Sequence, residues 1–158
     1  MPPGLRPRLS GARRAVFTTD IDGRADFLGL AEDSWKPEPL PTALVPMAQS
    51  HLAELERYLE PVSPEEEGRV LARIMALLEH YPGRARSDMV EQALALDWAD
   101  DLCEYPAWAV GEACRRWRRD PSKAWRPTPG QIRAICDELV AEARLHRDRL
   151  KLVLRASR

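Results

Sequence analysis

Ser63-Pro64-Glu65-Glu66-Glu67-Gly68-Arg69-Val70-Leu71-Ala72-Arg73-Ile74-Met75-Ala76-Leu77-Leu78-Glu79-His80-Tyr81-Pro82-Gly83 reads as one whole helix with its own start and stop. The Ser63 hydroxyl can accept from the amide of Glu66, and the Glu66 carboxylate can reach back. Pro64 stands where a missing N–H costs nothing. The acids at 65–67 face the positive end of the helix dipole. Val70, Leu71, Ile74, Leu77, Leu78 and Tyr81 recur at helical spacing and predict the buried face. Tyr81-Pro82-Gly83 ends the run.

The same grammar extends to both sides. Met47 to Leu59 carries Leu52, Leu55 and Leu59 on one face and stops at Pro61. Ser87 caps a helix over about 88–103, with Val90, Leu94, Trp98 and Leu102 as its stripe. Tyr105-Pro106 opens a helix over 106–119, in which Ala109, Val110, Ala113, Cys114 and Trp117 share one arc. Asp120-Pro121 closes it. Thr128-Pro129-Gly130-Gln131 repeats the capping signature, and a final helix runs from 129 with Ile132, Ile135, Cys136, Leu139, Val140 and Ala143 inward. No strand pattern competes. The expected fold is all-α, a small bundle of four to five helices with a long basic C-terminal helix.

Before residue 47 the pattern changes. Seven of the 14 prolines lie in residues 1–46, and the apolar residues there keep no period. Ordering such a stretch returns little buried area for its entropy. It is expected to be a mostly irregular, extended arm. Two apolar spots, Ala15-Val16-Phe17 and Asp26-Phe27-Leu28-Gly29-Leu30, are its only docking candidates. Beyond Ala143 apolar residues thin among arginines, so 144–158 reads as a basic amphipathic extension. The expected organisation is an arm at 1–46, a helical domain at 47–143 and the extension at 144–158.

A length of 158 residues suits one domain. Twenty-four basic and 25 acidic side chains leave a net charge of −1, so the whole chain is not a polycation. No apolar run is long enough to span a membrane, and no apolar stretch follows the N-terminal arginines as a secretory signal requires. Cys103, Cys114 and Cys136 cannot all pair within one chain, which suits a reducing cytoplasm.

Signals for catalysis are missing. The glycines are dispersed, and neither a P-loop nor a dinucleotide-binding motif occurs, so no nucleotide cofactor is expected. His51, His80, His146 and the three cysteines lack zinc-site spacing, so no metal is expected. Asp97 and Asp101 share a helix flank near Asp100 and Glu104, but no partner ligand stands on another helix. A solvated acidic face is the expectation, and the chain is not expected to be an enzyme.

Charge is unevenly distributed. Glu54 to Glu112 holds 14 acids against five arginines. Ala113 to Arg133 holds seven cations against Asp120 alone. Trp108, Arg115, Arg118, Arg119, Lys123, Trp125 and Arg126 therefore form a candidate surface for nucleic acid or a protein partner, arginine supplying charge and tryptophan a stacking or anchoring ring. A second candidate lies in the extension. Arg147, Lys151 and Arg155 recur at four along one flank, with Leu150 and Leu154 beside them, a pattern that fits a partner's groove or a second copy of the chain.

The stretch 68–138 resembles the small helical domain of phage replicative-helicase loader and inhibitor proteins. The residues that carry this are Leu77-Leu78-Glu79-His80-Tyr81-Pro82, Trp98-Ala99-Asp100-Asp101-Leu102, Ala107 to Trp117, and Trp125-Arg126-Pro127-Thr128-Pro129-Gly130-Gln131-Ile132. Arg126 replaces a proline of the aromatic-Pro-Pro-Thr style turn in that family, and the N-terminal arm lies outside the pattern. The resemblance implies a non-enzymatic adaptor that loads or inhibits a hexameric replicative DNA helicase, itself an ATPase, in the cytoplasm of a bacterial host. It also implies that the mobile tail, here 144–158, binds the helicase. Two further readings stand beside it: a small DNA-binding or regulatory protein using the Arg/Trp patch, and a phage inhibitor of a host complex.

Overall fold

The structure is a computed structural model that describes residues 13–19, 25–32, 35–83 and 87–157, with side chains described from residue 35 onward. Two strands, β1 (Arg13–Thr19) and β2 (Ala25–Glu32), come first. After a 3-10 turn at Thr42–Leu44 come α1 (Val45–Tyr58), α2 (Pro64–Leu78), α3 (Asp88–Leu102), α4 (Ala107–Arg119) and α5 (Pro129–Ala156). The body is thus all-helical, as its spacing predicts. Among the described residues no helix is long and apolar enough to cross a membrane.

The arm departs from the expected irregular stretch. β1 and β2 pair antiparallel from Arg13 opposite Glu32 to Thr19 opposite Ala25, with a register shift at Val16/Phe17. The shift leaves Leu28 as an extra residue beside Gly29, the kind of place where a strand tolerates a bulge. The physical reason is local. The prolines cluster at 2–7 and 37–46, so 13–32 is proline-free, and Val16-Phe17-Thr18-Thr19 is β-branched and aromatic.

The helices sort into two compact units, Met1–Leu59 with Val140–Arg158, and Glu60–Leu139. This division replaces the expected core at 47–143. In the first unit Leu40, Ala48, Leu150 and Val153 form a buried cluster, and Trp35, Leu44, Val45, Leu52, Leu55 and Leu154 pack against it. The Leu40 amide donates to the Ser157 hydroxyl at 2.8 Å, which in turn donates to the Val153 carbonyl at 2.7 Å. Lys151 pairs with Glu56 at 2.8 Å. The segment expected to extend beyond the core therefore belongs to a core. Arginines disguised it, yet Arg149 is buried with its guanidinium over the Trp35 ring, 4.8 Å from the centroid.

In the second unit α2 buries Val70, Ile74, Leu77 and Leu78, on the face its spacing predicts. α4 buries Ala109, Val110, Ala113, Cys114 and Trp117. Trp98 and Leu102 of α3, Tyr105, and Ile132 and Cys136 of α5 complete the core. The Val62 amide donates to the carbonyls of Cys103 (3.2 Å) and Tyr105 (3.1 Å), tying the entry of α2 to the exit of α3. The Tyr105 hydroxyl donates to Asp137 at 2.8 Å. The capping signatures form in part: the Ser63 hydroxyl meets the Glu66 carboxylate at 3.4 Å, and the Thr128 amide donates to Gln131 Oε1 at 3.0 Å.

Candidate functional site

α4 is amphipathic because its five buried residues fall on one arc, which leaves Arg115, Arg116, Arg118 and Arg119 outward at its C-terminal end. Cations are favourable there beside the last carbonyls. The turn that follows is tightly built. Asp120 accepts from the Ser122 hydroxyl at 2.7 Å and the Ser122 amide at 2.9 Å, and these bonds hold its carboxyl below the usual range. The buried Trp117 indole donates to the Trp125 carbonyl at 3.3 Å, and the two rings meet edge to face at 6.4 Å. Lys123 lies over the Trp117 ring at 4.8 Å and near that of Trp125 at 5.9 Å. Trp125 remains 40% exposed. Trp108 is half-buried.

The cations of this candidate surface are not equivalent. Arg115 and Arg116 both bond Glu112, Arg115 Nε at 2.6 Å and Arg116 Nε at 3.3 Å, and the Arg115 hydrogen bond leads in lowering the Glu112 carboxyl. Arg116 also reaches Glu138 at 3.6 Å. Arg133 sits between Glu104 at 2.5 Å and Asp101 at 3.8 Å. Arg118, Arg119 and Arg126 make no ion pair among the described residues. An incoming anion thus meets Arg118, Arg119, Arg126 and Lys123 before the others.

The second candidate surface does not assemble outward. Leu150 is fully buried and Leu154 packs against the same cluster, so neither leucine is free to enter a partner's groove. Arg147 bonds its neighbour Asp148 at 2.8 Å, and Lys151 is held by Glu56. Only Arg155 is exposed. The tail reading is corrected for this reason: its apolar side is spent within the chain's own core.

A third surface was not among the expectations. α3 buries Trp98, Ala99 and Leu102, but Met89 is 80% exposed, Leu96 60% and Val90 47%. Met89, Ala93 and Leu96 recur at four and three, and Met89 lies about 180° around the helix from Trp98. α3 is therefore apolar on two faces, and the expected stripe through Val90 is buried only in its second half. Asp88 and Asp97 flank the outer apolar face on either side and Asp100 stands in line with it one turn beyond Leu96, all exposed. The Met89-Ala93-Leu96 spacing is the signal that would have found it. Among the described residues no group of three or more His, Cys, Asp or Glu is placed to hold a metal ion. No protein-family model, no curated protein and no solved structure matches the chain.

Proposed function

We propose that the chain is a non-enzymatic adaptor of the phage replication type, which docks on a hexameric replicative helicase and loads it or holds it inactive. The observation that carries the docking role is the outer face of α3. A methionine 80% exposed beside a leucine 60% exposed is hydration that burial against a protein relieves. The acidic border adds register and discourages wrong partners. The helicase itself comes from the resemblance of 68–138, and that stretch falls inside the unit Glu60–Leu139.

The test is co-purification of the full chain with the replicative helicase of its host, beside Met89→Asp and Leu96→Asp. Both variants should lose at least tenfold in retention while melting close to the parent, because both side chains are mostly exposed. Equal retention of parent and variants would remove α3 from the interface. Failure of the parent to bind any hexameric helicase would remove the partner.

One observation favours a second reading, nucleic-acid binding. Arg118, Arg119 and Arg126 pair with no acid among the described residues, and Arg126 directly follows a 40% exposed Trp125. Charge of this kind makes binding fall steeply with salt. Retention of single-stranded DNA that is unchanged between low and high salt would dismiss it.

A further inference from the structure

Arg73, Ala76, Leu77, His80, Cys114 and Arg118 line a small open pocket of about 70 Å³. Their meeting follows from helix spacing. Arg73, Ala76, Leu77 and His80 recur at three and four along α2 and its last turn, and Cys114 and Arg118 lie one turn apart on α4. The floor is apolar, with Leu77 and the Cys114 thiol buried. Burial pushes that thiol up to about 11, so it stays neutral and does not repel an anion. The walls are two guanidinium groups and an imidazole. No carboxylate lines the pocket, and neither Arg73 nor Arg118 makes an ion pair among the described residues.

A third arginine arrives from the turn before α5. A Cβ on Gly83 would stand 2.8 Å from Arg126 Nη1, so the Arg126 guanidinium reaches the chain three residues beyond His80. Arg126 thus stands beside the chain just past the C-terminal end of α2, outside the pocket, and Trp125 precedes it in sequence.

We propose that this pocket holds a backbone phosphate of a single-stranded nucleic acid. Two guanidinium forks from different helices offer more donors than the two oxygens of a carboxylate use, and they suit the tetrahedral oxygens of phosphate. A polymer fits better than a lone phosphate because cation and ring continue outside, in Arg119, Lys123, Arg126 and the exposed Trp125. The proposal rests on the second reading above and names its anchoring residues, two of which, Arg73 and His80, lie outside the charged segment that the sequence singles out.

The experiment uses the full chain, a fluorescent twelve-residue deoxythymidine strand, and inorganic phosphate. Anisotropy across a salt series gives affinity and the slope of log K against log salt. Arg73→Gln with Arg118→Gln should weaken binding roughly tenfold or more and flatten the slope by about 0.7 for each phosphate no longer neutralised. Arg57→Gln on α1 should change neither. Arg73→Lys with Arg118→Lys should keep most of the slope, so a loss of slope caused by misfolding is told apart from a loss of charge. Titration with inorganic phosphate should move the amide resonances of Leu77 and Cys114 in the parent and not in the glutamine variant. If the strand binds and the glutamine pair leaves affinity and slope intact, the pocket is overturned and the nucleic-acid reading survives. If phosphate moves those resonances while the strand does not bind, the polymer is overturned and the phosphate site survives. A phosphoserine peptide that binds where the strand does not would also overturn the polymer.

Discussion

Leu150→Ala should destabilise the first unit by about 3 kcal/mol. Leu150 is fully buried in a cluster whose other buried members are Leu40, Ala48 and Val153. The substitution removes three carbons, worth about 2.4 kcal/mol at about 0.8 kcal/mol each. The cavity left behind adds to this unless neighbours close it, and measured Leu→Ala costs span roughly 2–5 kcal/mol. Trp35 and Leu154 are only half-buried and can shift inward, so the lower part of that span applies. Urea unfolding followed by circular dichroism reads the change as a lower midpoint at constant slope. Amide exchange over α1 and residues 146–156 should quicken in parallel. The control is two residues away. Leu152 is 43% exposed, and Leu152→Ala should cost under about 0.5 kcal/mol. Equal costs at 150 and 152 would refute the burial of this segment and restore the reading of a basic tail.

Two further predictions concern the second unit. Tyr105→Phe keeps the buried ring and loses the 2.8 Å bond to Asp137, so urea unfolding should show a loss of about 1.5 kcal/mol, and a loss near zero would dismiss the bond. Stability should also fall in alkali. Burial pushes the Cys114 thiol from 9.0 up to about 11, and burial with the Asp137 bond pushes the Tyr105 hydroxyl from 10.0 up to about 12. Above about pH 9 the unfolded chain sheds protons that the fold keeps, so it binds fewer, and unfolding becomes easier as pH rises. The melting temperature should drop from pH 9 toward 11, and Cys114→Ala should flatten the first part of that drop; an identical drop in the variant would refute the Cys114 contribution.

What the sequence disclosed depended on whether a segment's neighbours lie close to it in the chain. α2 and α4 are legible because each has one apolar arc and they cover one another from some 40 residues apart in the chain. α3 misleads. Its stripe at Val90, Leu94, Trp98 and Leu102 advances by four each time, which drifts about 40° per step around a helix of 3.6 residues per turn. Val90 consequently leaves the buried side that Trp98 and Leu102 occupy. The second half of α5 is illegible because what it packs on, Leu40 and Ala48, stands about a hundred residues earlier. The hairpin is hidden by averaging prolines over 46 residues, although Asp22-Gly23 between two β-rich runs is a strong turn signal. Composition locates the Arg/Trp patch, but it cannot say that Glu112 and Glu138 already engage Arg115 and Arg116.

The discontinuous first unit has a kinetic consequence. Residues 60–139 are contiguous, so their packing can form as soon as that stretch has been synthesised. The cluster of Leu40, Ala48, Leu150 and Val153 must wait until residues 140–156 exist. The hydrogen bond from Leu40 to Ser157 then closes 117 residues of chain. Long closure is slow when the intervening chain is a coil, and its entropy grows only as the logarithm of length. Here the intervening chain is largely the other unit, already shortened by its own folding. Synthesis therefore imposes an order, 60–139 before the pairing of α1 with the second half of α5. A nascent chain stalled near residue 143 should leave Ala48 and Leu52 without their cover, a transient surface on which a chaperone can act.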